Sequence, residues 1–322
     1  MILRRTVLVA PLAGALASRP ARAQARRPRR IGYLHSTNLA PSNSSLRMLS
    51  AEWRCAGFVE GESVFLRAGG DLGERLPQMV EELLAYDPGV LLAVGAPAVF
   101  AAARHGRQVP VVALDYETDP VAAGLVASAA RPGGRVTGLF LDQPSIAAKW
   151  LDLLLEAVPG TRHVAFLWDP GTGPHQRLAA ERQAAARGMT FDILEPVATG
   201  DHAGMLGKLD RSRTGVVMLT APGYNQLLRK LSAAVRDAGL PGITFLSNFV
   251  GHGLLMGYGP DQAQYWARAV PMAERIIAGE DPGAIPIERP TRFRFAVDLR
   301  VADALGLALP PALLAQADEV LD

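Results

Sequence analysis

The sequence predicts an α/β protein of two Rossmann-like lobes, each built on a parallel sheet and joined to the other by a hinge of several strands. Short apolar runs alternate with helical patterns of about ten to fifteen residues, and this alternation stops and restarts near the middle of the chain. The chain has 322 residues, which is too long for one ordinary core and suits two domains.

Four apolar runs are the predicted strands of the first half, and helical patterns follow the first three. The runs are residues 31–34, 63–67, 90–94 and 109–114, and the helical patterns are residues 42–56, 72–86 and 97–105. The run VLLAV at 90–94 is apolar at every position, which is typical of a strand covered on both faces. Residues 128–130 are predicted to end a last helix of this half, because the Pro-Gly-Gly of 132–134 follows and Pro cannot continue a helix.

The same alternation resumes after a predicted strand at 136–140. The predicted strands of the second half are residues 163–168, 190–194, 216–219 and 243–246, and the predicted helices are residues 147–157, 174–187, 201–210 and 224–238. A tail follows these two halves, which indicates further crossings between the lobes. Its predicted elements are a strand at 253–259, a helix at 263–279, a strand at 292–297 and a short helix at 311–320.

This order of elements predicts a division into two discontinuous lobes. The first lobe takes residues 29–140 and about 256–288, and the second takes residues 141–255 and about 289–322. Ligands of open parallel sheets bind at the carboxyl ends of the strands. We therefore expect two facing lobes that enclose a ligand cleft.

The first 23 residues have the features of an export signal. Arg4 and Arg5 form a positive start, a short apolar stretch follows, and Ala21-Arg22-Ala23 fits cleavage after Ala23. The apolar stretch is shorter than the roughly 20 residues that a membrane-spanning helix needs. The sequence therefore predicts a periplasmic protein whose signal peptide, residues 1–23, is removed.

Charge and motifs exclude several classes of function. The formal net charge is +2, and removing the four arginines of the leader, which holds no acid, turns it into −2. This balance does not favour a nucleic-acid partner. The chain contains no G-x-S-x-G, H-E-x-x-H, C-x-x-C or P-loop motif, and its six histidines are scattered. We predict no enzyme, no cofactor and no metal.

Residues that follow the predicted strands of the first half are candidates for ligand contact. His35 and Ser36 follow the first strand, and residues 95–98 lead from the third strand into a helix whose first N–H groups can hold a carboxylate. Residues 115–119 form an acidic cluster after the fourth strand. That cluster is open to several interpretations: a loop that receives a ligand ammonium, a carboxylate pair for acid–base chemistry, a cation site, or solvated acids.

Aromatic residues follow the strands of the second half in the same way. Trp168, Tyr224 and Phe249 lie at or near strand ends, where they can pack on an apolar or aromatic ligand or simply fill the core. The candidate ligand-binding residues of both halves are His35, Ser36, Gly95, Ala96, Pro97, Ala98, Asp115, Tyr116, Glu117, Thr118, Trp168, Asp169, Thr220, Tyr224, Asn248 and Phe249.

Several stretches resemble a family of ABC-transporter substrate-binding proteins with a fold similar to the type I periplasmic binding proteins. DPVAAGLVASAARPGGRVTGL, at residues 119–139, resembles the family signature D-P-V-x-x-G-L-V-x-S-L-A-x-P-G-G-N-V-T-G-L. GLLMGYG at 253–259 and the closing segment 289–322 resemble two further family segments, and all the matching pieces keep their order from residue 29 onward.

The resemblance implies a periplasmic receptor that closes two lobes on a small solute, an amino acid or similar small carboxylate, and delivers it to an ABC permease. By position, residues 95–98 would hold the ligand carboxylate on backbone N–H groups, with residues 115–118 beside it. The second lobe would add Trp168, Thr220, Tyr224 and Phe249. Ala96 stands where the family usually has a threonine, which removes one hydroxyl donor. A receptor that opens and closes is expected to be a monomer.

Three other functions fit the same architecture. The main alternative is a periplasmic ligand-sensing subunit that docks on a signalling receptor. A transcription regulator is disfavoured by the leader and by the lack of a helix-turn-helix, and a two-lobed enzyme would need acid–base groups that converge in the cleft.

Overall fold

The computed structural model describes residues 27–37, 44–69, 74–196 and 200–322. The predicted leader, residues 1–23, lies outside the described residues. Two sheets form the centres of two lobes, in agreement with the α/β architecture that the sequence predicts. No helix in the described ranges is long and apolar enough to cross a membrane.

The first lobe contains a parallel sheet whose order among the described residues is β2-β1-β3-β4-β5. Its strands are β1 (Ile31–His35), β2 (Val64–Ala68), β3 (Val90–Val94), β4 (Val111–Asp115) and β5 (Val136–Phe140). The helices that follow the first three strands are α1 (Ser44–Cys55), α2 (Leu76–Leu84) and α3 (Ala96–His105). Every residue of β1, β3, β4 and β5 is buried, because helices cover both faces of the sheet.

The second lobe contains a sheet whose described strands have the order β12-β11-β10-β9-β8-β6-β7, and only the β10–β11 pair among them is antiparallel. The strands are β6 (His163–Leu167), β7 (Thr190–Leu194), β8 (Thr214–Met218), β9 (Gly242–Thr244), β10 (Met256–Pro260), β11 (Phe293–Asp298) and β12 (Glu319–Leu321). The helices after α3 are α4 (Gln143–Ala157), α5 (His175–Ala186), α6 (His202–Leu206), α7 (Tyr224–Asp237), α8 (Gln262–Ile277), α9 (Leu299–Ala304) and α10 (Pro311–Leu314). Short 3₁₀ turns lie at Pro170–Thr172, Ser247–Phe249 and Pro282–Ala284.

Helix α8 returns from the second lobe to complete the core of the first. Trp266 and Met272 of this helix pack in one buried cluster with Tyr33 of β1 and Trp53 of α1. The opposite face of the same sheet is covered by α2 and α3. The first lobe is therefore built from two distant parts of the chain.

The chain crosses between the lobes at three places. It crosses after β5, again between β10 and α8, and a third time before β11. Glu288 pairs with the backbone of β5, and Arg289 then forms an ion pair of 2.6 Å with Asp142 on the first crossing. These contacts hold the crossings side by side as a hinge.

The Pro-Gly-Gly of residues 132–134 turns against the returning chain near this hinge. The N–H of Gly133 donates to the carbonyl of Gly283 at 3.0 Å, and a Cβ on Gly283 would lie 2.9 Å from the carbonyl oxygen of Gly134. The turn thus needs glycine on both sides, because the two backbones touch.

Three predictions about individual elements are wrong. Residues 128–130 are not helical, since Gly124 at φ 70° follows a single turn and sends the chain into an irregular loop before Pro132. The final helix ends at Leu314, and residues 319–321 form β12 beside β11. The predicted first lobe begins its second part at about residue 256. The strand at 256–260 instead pairs with β9 and β11 in the second sheet. The chain therefore re-enters the first lobe only with α8.

Candidate functional site

A cavity of about 220 Å³ lies between the lobes. It is formed where β1, β3 and β4 of the first sheet and β8 and β9 of the second sheet end, which is the edge that the parallel arrangement makes available to a ligand. Its walls are formed by His35, Val94, Gly95, Leu114, Tyr116, Glu117, Met218, Leu219, Thr220, Ala221, Pro222, Tyr224, Thr244, Phe245, Leu246, Phe249, Gln262 and Trp266.

His35 is a neutral group on the first-lobe wall. Its Nδ1 accepts the N–H of Thr37 at 3.1 Å, so the ring proton is on Nε2. Burial lowers the pKa of this imidazole to about 4, because a charged ring would lose its hydration. His35 therefore offers one neutral N–H donor and no positive charge at neutral pH.

Glu117 occupies the N-terminus of helix α3. The N–H of Ala96 donates to Glu117 Oε2 at 3.2 Å, Pro97 has no N–H, and Ala98 is fully buried. Gly95 caps the helix at φ 83°, where a side chain is strained. The helix end that the resemblance assigns to a ligand carboxylate therefore already holds a carboxyl group of the protein.

Asp115 and Glu117 form a buried pair of carboxyl groups. Asp115 Oδ1 accepts the N–H groups of Glu117 and Thr118 at 2.7 and 3.0 Å, while its Oδ2 is buried without a hydrogen-bond partner. Burial raises the pKa of both carboxyl groups, and the charge of Asp115 raises that of Glu117 further. Each of the two groups therefore keeps its proton to a higher pH than an exposed carboxyl group does.

Thr220 faces this pair from the second lobe and is held in place by Gln176. The Gln176 side chain donates to the Thr220 carbonyl at 2.6 Å and accepts both the N–H and the hydroxyl of Thr220 at 3.0 Å. It also donates to Thr172 at 3.1 Å, which joins the loops after β6 and β8. Thr220 also lies close enough to the Glu117 carboxyl of the first lobe to offset part of the rise in its pKa, so this position brings the two lobes together.

Aromatic rings form much of the remaining wall. Tyr116 lies between Phe245 of the second lobe, at a centroid distance of 4.7 Å, and Tyr265 of helix α8, at 4.6 Å. Trp266 and Tyr224 are buried, and Trp266 Nε1 and the Tyr224 hydroxyl have no hydrogen-bond partner. The cavity thus combines apolar rings with polar atoms that are free to pair with a ligand.

The structure places part of the predicted set around the cavity. His35, Gly95, Tyr116, Glu117, Thr220, Tyr224 and Phe249 line it. Eight others do not line it, and they are Ser36, Ala96, Pro97, Ala98, Asp115, Thr118, Trp168 and Asp169. The side chain of Asn248 lies outside the described part of the structure.

The reasons for these differences are local. Ser36 and Thr118 are fully buried, and their hydroxyls are not part of the cavity wall. Trp168 turns away from the cavity, because its ring packs 4.8 Å from the Arg177 guanidinium and its Nε1 donates to the Gly173 carbonyl at 3.2 Å. Asp169 caps the neighbouring 3₁₀ turn, accepting the N–H of Gly171 at 2.9 Å.

Sequence reasoning missed Phe245, Gln262 and Trp266. Phe245 follows a strand and could have been found by the rule that found Phe249. Gln262 and Trp266 lie on α8, immediately after a crossing, and their position depends on which lobe that helix joins. No local motif marks them. In the described ranges, no cluster of His, Cys, Asp or Glu side chains could hold a metal ion.

Comparison with known proteins agrees with this architecture. The family described as ABC transporter substrate binding protein matches residues 62–321, most of the chain. The chain belongs to this family. As a substrate-binding protein of the ABC type, it falls in a group that binds small solutes and normally works outside the cytoplasmic membrane.

Individual relatives of this substrate-binding protein are distant. A tyrosine-binding protein of Clostridioides difficile is 22% identical over 243 residues, which cover 72% of this chain and 67% of the relative. A Streptococcus pneumoniae ABC domain solved in complex with L-Trp superposes with a TM-score of 0.78 at 20% identity, over 91% of this chain and all of the other. A Vibrio cholerae conserved domain protein gives a TM-score of 0.80 at 19% identity, over 91% and 99% of the two chains. The predicted type I periplasmic binding fold is confirmed.

Proposed function

We propose that this protein is the periplasmic substrate-binding component of an ABC importer, which captures one small aromatic ligand bearing an amino group and presents it to a permease in the inner membrane. The observation that carries the proposal is the cavity between the lobes, with aromatic rings from both lobes and one carboxyl group on its wall.

The size of the cavity supports a ligand as small as a single amino acid. Its 220 Å³ is below the roughly 300 Å³ at which pockets for drug-sized ligands begin. Five aromatic side chains, Tyr116, Tyr224, Phe245, Phe249 and Trp266, line this space. A ring packed among them gains both buried area and aromatic contacts.

The relatives support the same class of ligand. One is named for binding tyrosine, and one structural neighbour was solved with L-Trp. Glu117 gives a ligand amino group an acceptor, and Thr220 of the second lobe lies close to its carboxyl group. A ligand amino group placed at Glu117 would thus favour the closed arrangement, since a ligand shifts such an equilibrium only through contacts that differ between the two states.

No bond is made or broken in this mechanism. The lobes rotate about the hinge of residues 141–142, 261 and 289–292, the ligand closes them, and the closed surface is the one that a permease would recognise. The mature chain would begin after the leader and act as a monomer.

Isothermal titration calorimetry of the mature protein with L-tryptophan, L-tyrosine, L-phenylalanine and their amines tests the proposal. We expect at least one of these compounds to bind in a 1:1 ratio. Phe249→Ala, which removes a half-buried ring from the cavity, is expected to weaken that binding about tenfold or more. Phe191→Ala is the matched control, because Phe191 is 36% exposed on β7, away from the cavity. Equal losses in the two variants, or no binding by any of the compounds, would contradict the proposal.

A further inference from the structure

Acidic side chains lie at or behind the cavity wall in both lobes. Its titratable lining groups in the described residues are His35, Tyr116, Glu117 and Tyr224, and no Arg or Lys is among them. Asp115 lies directly behind Glu117. On the second lobe, Asp169 is 4% exposed, has an unpaired Oδ2 and lies close enough to Tyr224 to raise the pKa of its hydroxyl.

Arg177 packs against Trp168, in the loop that follows β6, and its charge is already paired. Its guanidinium stacks on Trp168 and forms an ion pair with Glu181 at 2.9 Å. Neither Arg177 nor Trp168 lines the cavity. A negatively charged ligand group would therefore enter a space with acids behind both walls and, among the residues that the structure describes, no cation on either wall.

The N-terminus of helix α3 also offers few donors to a ligand carboxylate. The first N–H of helix α3 is bonded to Glu117, the second helical residue is proline, and Ala96 supplies no hydroxyl. Placing a ligand carboxylate there would displace Glu117 and bring three carboxyl groups together in a buried region. Burial of like charges at this spacing is strongly unfavourable.

From this geometry we propose that the cavity is selective for an aromatic amine without a carboxylate, such as a decarboxylated aromatic amino acid, with its ammonium bound between Glu117 and the rings of the cavity. This inference rests on the proposed function and narrows it to one ligand class. The ammonium donates to Glu117 and supplies the positive charge that the Asp115–Glu117 pair lacks. The rings of Tyr116, Phe245 and Trp266 line the same cavity, and aromatic rings attract a cation more strongly than a neutral group.

Three compounds that share the indole ring separate the contributions of the two charged groups. Tryptamine has the ammonium alone, indole-3-propionate has the carboxylate alone, and L-tryptophan has both. We expect calorimetry on the mature protein to give tryptamine an affinity at least about tenfold above that of L-tryptophan, and no measurable binding of indole-3-propionate.

The outcomes distinguish this inference from the proposed function. Tighter binding of L-tryptophan than of tryptamine, or binding of indole-3-propionate, would overturn the selectivity for amines and leave an aromatic amino-acid receptor. Absence of binding by all three, repeated with the corresponding phenol and phenyl compounds, would overturn both.

Glu117→Gln tests the residue that the inference singles out. Gln keeps an oxygen that can accept the Ala96 N–H but carries no negative charge. We expect it to lower tryptamine affinity about tenfold or more and to reduce the preference for tryptamine over L-tryptophan. Glu62→Gln, at an exposed position, is the matched control and is expected to change neither. An unchanged preference in Glu117→Gln would overturn the inference, and the comparison of the three compounds on the unmodified protein stands whether or not this variant folds.

Discussion

Gly95 of the first lobe and Pro222 of the second lobe meet across the cavity, so closely that a Cβ on Gly95 would lie 2.9 Å from Pro222 Cγ. The same Cβ would overlap Ser36 Oγ, and Gly95 has φ 83°. The contact joins the loops after β3 and β8. The absence of a side chain at residue 95 is therefore a condition for the two lobes to meet.

Gly95→Ala is expected to prevent full closure. The added methyl group meets Pro222 of the other lobe and Ser36 of its own lobe in the arrangement that the structure shows, so a ligand can no longer bring the lobes this close together. Small-angle scattering should then show no decrease in the radius of gyration on addition of a ligand that compacts the unmodified protein.

Gly124→Ala is the matched control, because Gly124 has φ 70° and no atom lies within 4 Å of the position that its added methyl group would take. It should cost about 1–2 kcal/mol of stability and leave closure intact. Compaction of Gly95→Ala to the same extent would contradict the steric argument.

Glu117→Gln is expected to stabilise the empty protein, and more so at high pH. The folded-state pKa of Glu117 is raised, so the folded protein holds its proton in a pH range where the unfolded chain has lost it. Stability therefore falls as the pH rises from the unfolded value of about 4.3 toward the folded pKa, and Gln removes this loss. Thermal melts should show a higher Tm for the variant at pH 8 and a smaller difference at pH 5. His35, whose pKa is lowered to about 4, affects both proteins alike.

Glu82→Gln is the control of opposite sign for that measurement. Glu82 forms an ion pair of 2.6 Å with Arg67 on the surface, and this contact lowers the pKa of the Glu82 carboxyl. Its stabilisation is present above the unfolded pKa and is lost as the pH falls. Glu82→Gln should therefore not raise the Tm at pH 8, and a rise equal to that of Glu117→Gln would refute the burial argument.

Gln176→Ala is expected to weaken both folding and ligand binding. The change leaves the N–H, hydroxyl and carbonyl of Thr220 without their partner in a buried site. An unpaired buried polar group costs about 1–3 kcal/mol, so we expect a loss of about 3 kcal/mol in urea unfolding and a lower affinity for the ligand. Gln78→Ala, which removes an exposed 3.2 Å contact with Glu82, should change neither quantity measurably. Unaltered affinity in a folded Gln176→Ala protein would show that the position of Thr220 does not matter.

Binding of an amine is expected to release a proton. The raised pKa values of Asp115 and Glu117 favour the protonated forms of these groups in the empty cavity, and a ligand ammonium stabilises the ionised form of both. The affinity should therefore increase with pH until the pair is ionised in the free protein, and become constant above that point. Calorimetry at pH 6 in two buffers of different ionisation enthalpy measures the number of protons released. Proton uptake on binding would contradict this assignment. His35, Tyr116 and Tyr224, which also face the cavity, are expected to stay neutral throughout.

Sequence patterns predicted the lobes well, because a buried parallel strand such as VLLAV must be apolar at every position. They failed for β12, because this strand has only three residues and is largely exposed. They also failed for the loop at 128–130, where small residues that favour a helix are overridden by Gly124 and Pro132. In both cases the local preference was weak and the surrounding structure decided.

The site residues that follow strands could be predicted from the sequence. Those whose position depends on contacts with distant parts of the chain could not. Residues such as Gly95, Glu117 and Thr220 follow strands, and the rule for parallel sheets placed them at the cavity. Glu117 reaches the N-terminus of α3 only because of the path of the loop after β4. No spacing in the sequence reveals that path. Trp266 depends on a helix that crosses from the other lobe.

The return of α8 to the first lobe also affects how the chain acquires its fold during synthesis. Tyr33 of β1 is covered by side chains of a helix that is translated roughly 240 residues later, and at about 5–20 residues per second this helix follows on the order of 10 s or more after the strand. The amino-terminal half therefore emerges from the ribosome without the layer that closes its core. Its native contacts are of very long range, and such contacts make folding slow and leave apolar strands exposed for longer.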